Sequence, residues 1–274
     1  MNKKKKSKEQ KEHDEMSFLD HLEILRWHIL RSIASVLVFA IAFFSLGKVV
    51  FDKIILAPKN TDFISYRFFC WISKATCLRD PDLTLIRRDL GEEFFVHIKV
   101  SIFLGIALAM PYIFWEIWKF IKPGLYENER KHARGFVFVC SSLFTVGILF
   151  GYFIIAPFAI SFLSNYSVGE GAVSPTATLS SYVGNLTMFT FPAGLLFQLP
   201  VIVYFLTKIG LITPKFMAQY RRHSYVVLLI LSAVITPPDV ISQVLICMPL
   251  YGLYEVSIFI SKRVQKRNKE ILDS

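Results

Sequence analysis

The chain has 274 residues, 54% of them hydrophobic and 15% aromatic, with 26 Phe and a mean hydropathy of +0.48. A water-soluble globular domain rarely carries that much apolar surface, so composition excludes one. The net charge of +10 would suit a nucleic-acid binder. Once the apolar runs are set aside, however, no basic segment of domain size remains to bind nucleic acid.

Apolar runs of about 20 residues recur, the length a ~30 Å hydrocarbon core demands of a helix. Six spans are predicted, at about 27–50, 94–118, 135–160, 182–209, 223–236 and 241–261. Residues 1–16 read as a basic, disordered tail, 17–262 as the membrane domain and 263–274 as a second basic tail. The first run lacks a small-residue cleavage site and reads as a retained helix. An amphipathic segment, Phe18–Arg26, precedes it, with Asp20 and Glu23 three apart and therefore on one helix face.

Lys and Arg set the orientation. Residues 1–26 hold seven, 119–134 five, 207–223 four and 261–274 five, whereas 161–181 and 237–243 hold none. Positive loops stay on the cytoplasmic side, which predicts that both termini are cytoplasmic. The segment 51–93 carries seven basic and seven acidic residues. The rule weakens for longer loops, and parity places this one outside. Within it lie Cys70 and Cys77. In an oxidising compartment they can close an eight-residue loop, and two free thiols are the alternative.

The loop between the second and third spans carries Glu116, Glu127 and Glu129 among aromatics, on an otherwise basic face. Pro123 and Gly124 predict a bend that presents Glu127 and Glu129, while Glu116 and Lys99, near span ends, can snorkel. A carboxylate accepts a guanidinium in bidentate fashion, so the matching ligand is an arginine-bearing peptide. Surface carboxylates paired with Arg130 or Lys131 are the plain alternative. In the fourth span, Pro192 and Pro200 interrupt the helix, and the amide of Gln198 needs a partner inside the membrane. The fifth span is only about 21 Å long and ends at Thr236-Pro237-Pro238-Asp239, a tight turn. Glu255, two turns from the inner end of the sixth span, can pair with a basic residue or simply reach the interface. Cys140 and Cys247 read as small core residues.

No phosphate-binding loop, zinc-protease motif or nucleophile elbow occurs, and no His/Cys spacing suggests a metal. The chain is expected not to be an enzyme. A secondary transporter of a small solute would call for broken helices at matched positions in two repeats, and the fourth span has no such counterpart.

Five blocks carry a family resemblance, in family order, over residues 17–262. HLEILRWHIL resembles H-L-x-E-L-R-x-R-L, and Leu56-Ala57-Pro58 resembles an outer-loop proline. PYIFWEIWKFIKPGLYENER resembles P-x-x-x-Y-x-x-W-x-F-I/V-x-P-A/G-L-Y-x-x-E-R/K. LLFQLPV resembles F-E/Q-x-P, and ITPPDVISQ resembles T-P-P-D-x-x-S/T-Q. The family is TatC, the multispanning receptor of the twin-arginine protein translocase. The resemblance implies an all-α membrane protein of six helices in a concave, glove-like bundle. It also implies recognition of twin-arginine signal peptides of folded cargo at the cytoplasmic face. The expected partners are TatA and TatB single-span proteins and further copies of the chain in a receptor complex, and the protonmotive force is expected to drive transport.

By family match, Phe120 and Glu129 belong to the signal-binding patch and Arg26 matches the amino-terminal arginine; Glu127, Glu23 and Asp20 join them as signal-binding candidates on their charge and position alone. Gln198 matches a polar position facing the concave cavity. Pro58 and Asp239 match outer-loop positions tied to assembly and transport. The chain departs from the pattern twice. Ile24 stands where the family has Glu, with Glu23 one residue and ~100° of helix rotation away. His28 stands where the family usually has Arg. Either a tilted helix brings Asp20 and Glu23 to the ligand, or Glu129 takes a larger share. The segment RFFCWISKATCLRDPD matches no family block.

Overall fold

A computed structural model describes residues 18–60, 62–72, 81, 83–121, 133–166, 176–235 and 240–272. The helices are α1 (Phe18–Ser45), α2 (Gly47–Val50), α3 (Ile64–Ile72), α4 (Glu92–Ile121), α5 (Ala133–Phe150), α6 (Ala156–Asn165), α7 (Leu179–Leu196), α8 (Leu199–Lys208), α9 (Pro214–Gln219), α10 (Arg221–Ile235) and α11 (Val240–Leu272). Two short strands, β1 (Thr84–Ile86) and β2 (Thr176–Thr178), pair in parallel with Thr84 opposite Thr176. The chain is a predominantly helical membrane protein. Among the described residues, four helical stretches are long and apolar enough to cross a bilayer: Leu22–Ser45, Glu92–Ile121, Gly135–Asn165 and Leu179–Lys208.

The predicted amphipathic segment and first span are one helix. α1 runs unbroken for 28 residues, about 42 Å, and ends at Ser45, five residues earlier than expected. Its outer face is largely bare, with Val38 65% and Ile41 67% exposed, as a lipid-facing surface requires. The third span is α5 and α6 joined through a π turn at Gly151–Ile155. The fourth is α7 and α8, broken at Phe197–Gln198, and Pro200 sits in the first turn of α8. Pro192 lies within α7 instead of ending it. Gly210, at φ 79°, takes the left-handed conformation that terminates α8. The fifth span, α10, has 15 residues and rises only about 22 Å. The sixth, α11, continues to Leu272, well past the boundary expected near 262.

The core lies where α4, the α5–α6 span and α7 meet the end of the first span. It includes Val50, Val100, Ile155, Val183 and Leu186. Two close approaches depend on glycine. A Cβ on Gly147 would stand 2.8 Å from the Ala193 oxygen, and one on Gly151 would stand 2.7 Å from Thr190 Cα. Gly147 and Gly151 form a small-x-x-x-small pair, which lets the third span meet α7 backbone to backbone. Gly105 does the same between α4 and α1, its missing Cβ lying 2.8 Å from Ala40 N.

Beyond α2 the chain winds through a π turn at Phe51–Ile55 and a 3₁₀ turn at Ala57–Lys59. Such irregular winding frees carbonyls that the apolar surroundings cannot satisfy. Three tyrosines do so: Tyr152 donates to Ile54 O at 2.5 Å, Tyr182 to Ile55 O at 2.9 Å and Tyr66 to Pro58 O at 2.9 Å. Glu92 knits the same end, accepting from Arg88 N and Ser180 N, both at 2.7 Å.

Gly147→Ala and Gly151→Ala should each lower stability by about 1–3 kcal/mol, since backbone must move to admit the methyl. Gly252, with nothing within 4 Å of its missing Cβ, serves as the control. Thermal unfolding in detergent, followed by circular dichroism, checks this. Equal melting of Gly151→Ala and Gly252→Ala would refute the packing account.

Candidate functional site

The inner ends of α1 and α4 are tied by a carboxylate. Glu116 sits on α4, five residues before the helix ends at Ile121, with its side chain wholly buried. His28 Nδ1 lies 2.5 Å from one carboxylate oxygen and Lys119 Nζ donates to the other at 2.9 Å. Arg31 Nη1 stands 4.0 Å away. Glu116 therefore does not snorkel. The carboxylate is turned into the bundle because His28 on α1 and Lys119 on α4 close around it, and those bonds replace water.

His28 also carries the tie to Phe120, a predicted site residue. The two rings meet edge to face at 6.2 Å, and Phe120 is half-buried. Beside them Trp118, 4% exposed, stacks on Phe136 at 4.5 Å, and Phe136 meets Phe205 at 5.0 Å. This aromatic cluster joins α4, α5 and α8 at the point where the chain enters and leaves the loop 122–132.

On α1, residues 24, 28 and 31 recur at spacings of four and three and share one stripe. His28 on that stripe reaches Glu116 and Arg31 stands 4.0 Å from it, so Ile24 falls on the same stripe, where it is itself 37% exposed. Glu23 shares the next stripe with Trp27 and Leu30, all three exposed, and Arg26 is exposed too. Asp20 lies in the first turn of α1. Glu127, Glu129, Asp239 and Cys77 lie outside the described residues, as does the predicted tail 1–16. The structure thus brings His28, Glu116 and Phe120 together, and separates Glu23 from them by a helix face.

The remaining predicted positions have distinct settings. Gln198 is 7% exposed, at the break between α7 and α8, and its Nε2 donates to Cys140 O on α5 at 2.9 Å. Its partner is a backbone carbonyl of the third span. Pro58 is buried, its carbonyl held by Tyr66. Cys70, in α3, is disulfide-bonded, whereas Cys140 and Cys247 are free. Glu255 finds its expected basic partner, Arg221, at 2.9 Å, and also accepts from Tyr225 at 2.9 Å. The latter donor links it to Tyr251, whose hydroxyl lies 2.6 Å from that of Tyr225.

Sequence reasoning missed the His28–Glu116 pair. The signal was present: a lone carboxylate inside an apolar stretch, at the depth where α1 carries His28 and Arg31. Glu116→Ala should cost roughly 1–3 kcal/mol, because it removes the hydrogen-bond partner of the mostly buried His28 ring and of Lys119. Glu116→Gln, which keeps an acceptor for Lys119, should cost less. Melting temperatures in detergent rank the two, and unchanged melting of Glu116→Ala would show that the pair bears no structural load.

Comparison with known proteins places the whole arrangement. Residues 20–249 match the family model described as "Sec-independent protein translocase protein (TatC)". The chain is 36% identical over 263 residues to the Sec-independent protein translocase protein TatC of Blattabacterium sp. subsp. Periplaneta americana, covering 93% of this chain and 98% of that one. It is 37% identical to TatC of Helicobacter pylori strain 26695 (91% and 89% covered) and 35% identical to TatCy of Bacillus subtilis (93% and 92%). A solved structure described as "Crystal Structure of Twin Arginine Translocase Receptor- TatC" superposes with a TM-score of 0.69 at 32% identity, over 89% of this chain and 99% of that one. A second, of the same receptor in DDM, gives 0.70 at 31%. With its helical membrane fold, its two-part fourth span and a family match over most of its length, the chain belongs to the TatC family of Sec-independent, twin-arginine protein translocase proteins.

Proposed function

We propose that this chain is the signal-peptide receptor of a twin-arginine translocase in a bacterial inner membrane, with both termini in the cytoplasm. The observation that carries this reading is the tie between His28, Glu116 and Phe120. It fixes the start of the first span against the end of the second, from which the chain runs on towards Glu127 and Glu129. A rigid frame at that helix end favours a bidentate guanidinium contact by the carboxylates that follow it, since such a contact needs precise placement.

In this reading Glu129 takes the guanidinium pair, with Glu127 adding charge and Phe120 offering a ring for stacking. Glu116 takes no part in the contact, since its carboxylate is buried and already shared between His28 and Lys119. Glu23 stands on the exposed stripe of α1 with Trp27, away from Phe120, so it contributes through long-range attraction at most. With Ile24 where the family has Glu, Glu129 carries most of the affinity. Asp20 and Arg26 flank the entry path.

The apolar part of the signal peptide then enters the concave side of the bundle past the break at Gln198. TatA- and TatB-type single-span proteins dock on the outer helices. Pro58 and Asp239 serve assembly at the opposite membrane face, and several copies act together. The protonmotive force drives transport, and the chain itself performs no covalent step.

Glu129→Ala should abolish export of a folded twin-arginine reporter at unchanged protein level, and Glu23→Ala should reduce it by less than about threefold, the loss of one exposed charge. Crosslinking of a signal peptide to a photoreactive residue at 120 or 129, but not at 23, checks the assignment. Full export by Glu129→Ala, or crosslinks confined to position 23, would overturn it.

A further inference from the structure

The opposite end of the first span holds a cavity of about 740 Å³, walled by α2, the turns after it, the segment following β1 and the first turns of α4. Lys48, Lys59 and Arg87 line it, against two carboxylates, Asp52 and Glu93. Arg87 Nε is 3.3 Å from Glu93, both side chains being exposed, a pairing worth little in water. Lys48 and Lys59 have no ion-pair partner among the described residues. Two lysines without an ion-pair partner among the described residues therefore line one recess, whose lining is net positive.

The recess also has an apolar side. His97 forms part of its wall and lies flat on Phe44, with ring centroids 4.2 Å apart. Phe44 in turn meets Phe94 edge-on at 6.5 Å, and these two rings are 40% and 57% exposed. The fit of His97 requires Gly47, whose missing Cβ would stand 2.4 Å from the imidazole Nε2. Val49, 52% exposed, adds apolar surface beside Lys48. Because α1 is a span and this is its end, the cavity stands at the depth where headgroups meet acyl chains.

We propose that this cavity binds the phosphodiester headgroup of a phospholipid from the leaflet facing it, with the phosphate between Lys48 and Lys59. Its acyl chains run over Phe44 and Phe94. An ammonium group is a compact point charge suited to a phosphate. Asp52 and Glu93 set the limit on how much negative charge the recess accepts. The site requires neither the signal-peptide assignment nor the direction of transport, because a leaflet adjoins this end of α1 in either orientation.

The test uses the full-length protein in dodecyl maltoside, titrated with dioctanoyl phosphatidylglycerol and followed by thermal unfolding. Wild type should show a saturable rise in melting temperature. Lys48→Gln/Lys59→Gln should weaken the apparent affinity roughly ten- to thirtyfold, while Lys215→Gln/Lys262→Gln, outside the cavity, should leave it unchanged. Dioctanoylglycerol and inorganic phosphate alone should give no rise. Equal affinity of the cavity variant and wild type, equal weakening by both double variants, or saturation by inorganic phosphate would each overturn the proposal. Should the cavity variant fail to fold, a photoactivatable phosphatidylglycerol on wild type decides. Adducts at residues 44–51 and 93–97 support the site, and adducts only elsewhere overturn it.

Discussion

Inside a bilayer no water can satisfy a polar group, and every helix break or buried carboxylate in this protein must find its partner within the chain. That constraint explains which residues sit where helices meet. Gln198 stands at the break in the fourth span because the break lets its amide reach the Cys140 carbonyl. Tyr152, Tyr182 and Tyr66 gather around the irregular turns after the first span because those turns free carbonyls. Glu116 is tolerated in the second span because His28 and Lys119 close around it. Polar groups here set the register of the helices, and apolar packing fills the space between.

The same constraint accounts for the short fifth span. α10 cannot cross a full hydrocarbon core unaided, and a hairpin of that length must be held by a neighbour or thin the bilayer. α11 holds it through a polar ladder of Arg221, Ser224 and Tyr225 against Tyr251, Tyr254 and Glu255. Tyr254 also donates to Met217 O, at 2.9 Å, which anchors α9 to the same helix. The hairpin thus hangs on side-chain bonds, whereas the first span meets the second, and the third meets the fourth, through close backbone contact.

The receptor surface shows how a family pattern can be read only in part from one sequence. The motif around Phe120 and Glu129 is recognisable by its order of aromatic, proline and carboxylate residues. The departures at Ile24 and His28 look, along the sequence, like two weaknesses in the amino-terminal half of the patch. In three dimensions His28 is the partner of Glu116 and the neighbour of Phe120, so the change at that position belongs to the frame of the site. The acidic character of the loop also divides. Glu116 is buried and structural, and the proposed ligand contact falls to carboxylates further along the chain.

Sequence by itself determined the membrane class, the number and order of the apolar runs, the weak fifth span and the family. These follow from length and hydropathy, which the bilayer reads locally, and from motifs contiguous in the chain. It could not determine the π turns, the unbroken helix from Phe18 to Ser45 or the parallel pairing of β1 with β2, because each depends on contacts from distant segments. Tertiary structure also decided the fate of single polar residues. Whether a carboxylate near a span end snorkels to water or turns inward depends on whether a neighbouring helix presents a polar partner at the same depth. For Glu116 that partner is a residue 88 positions away, His28, and no local pattern encodes that distance.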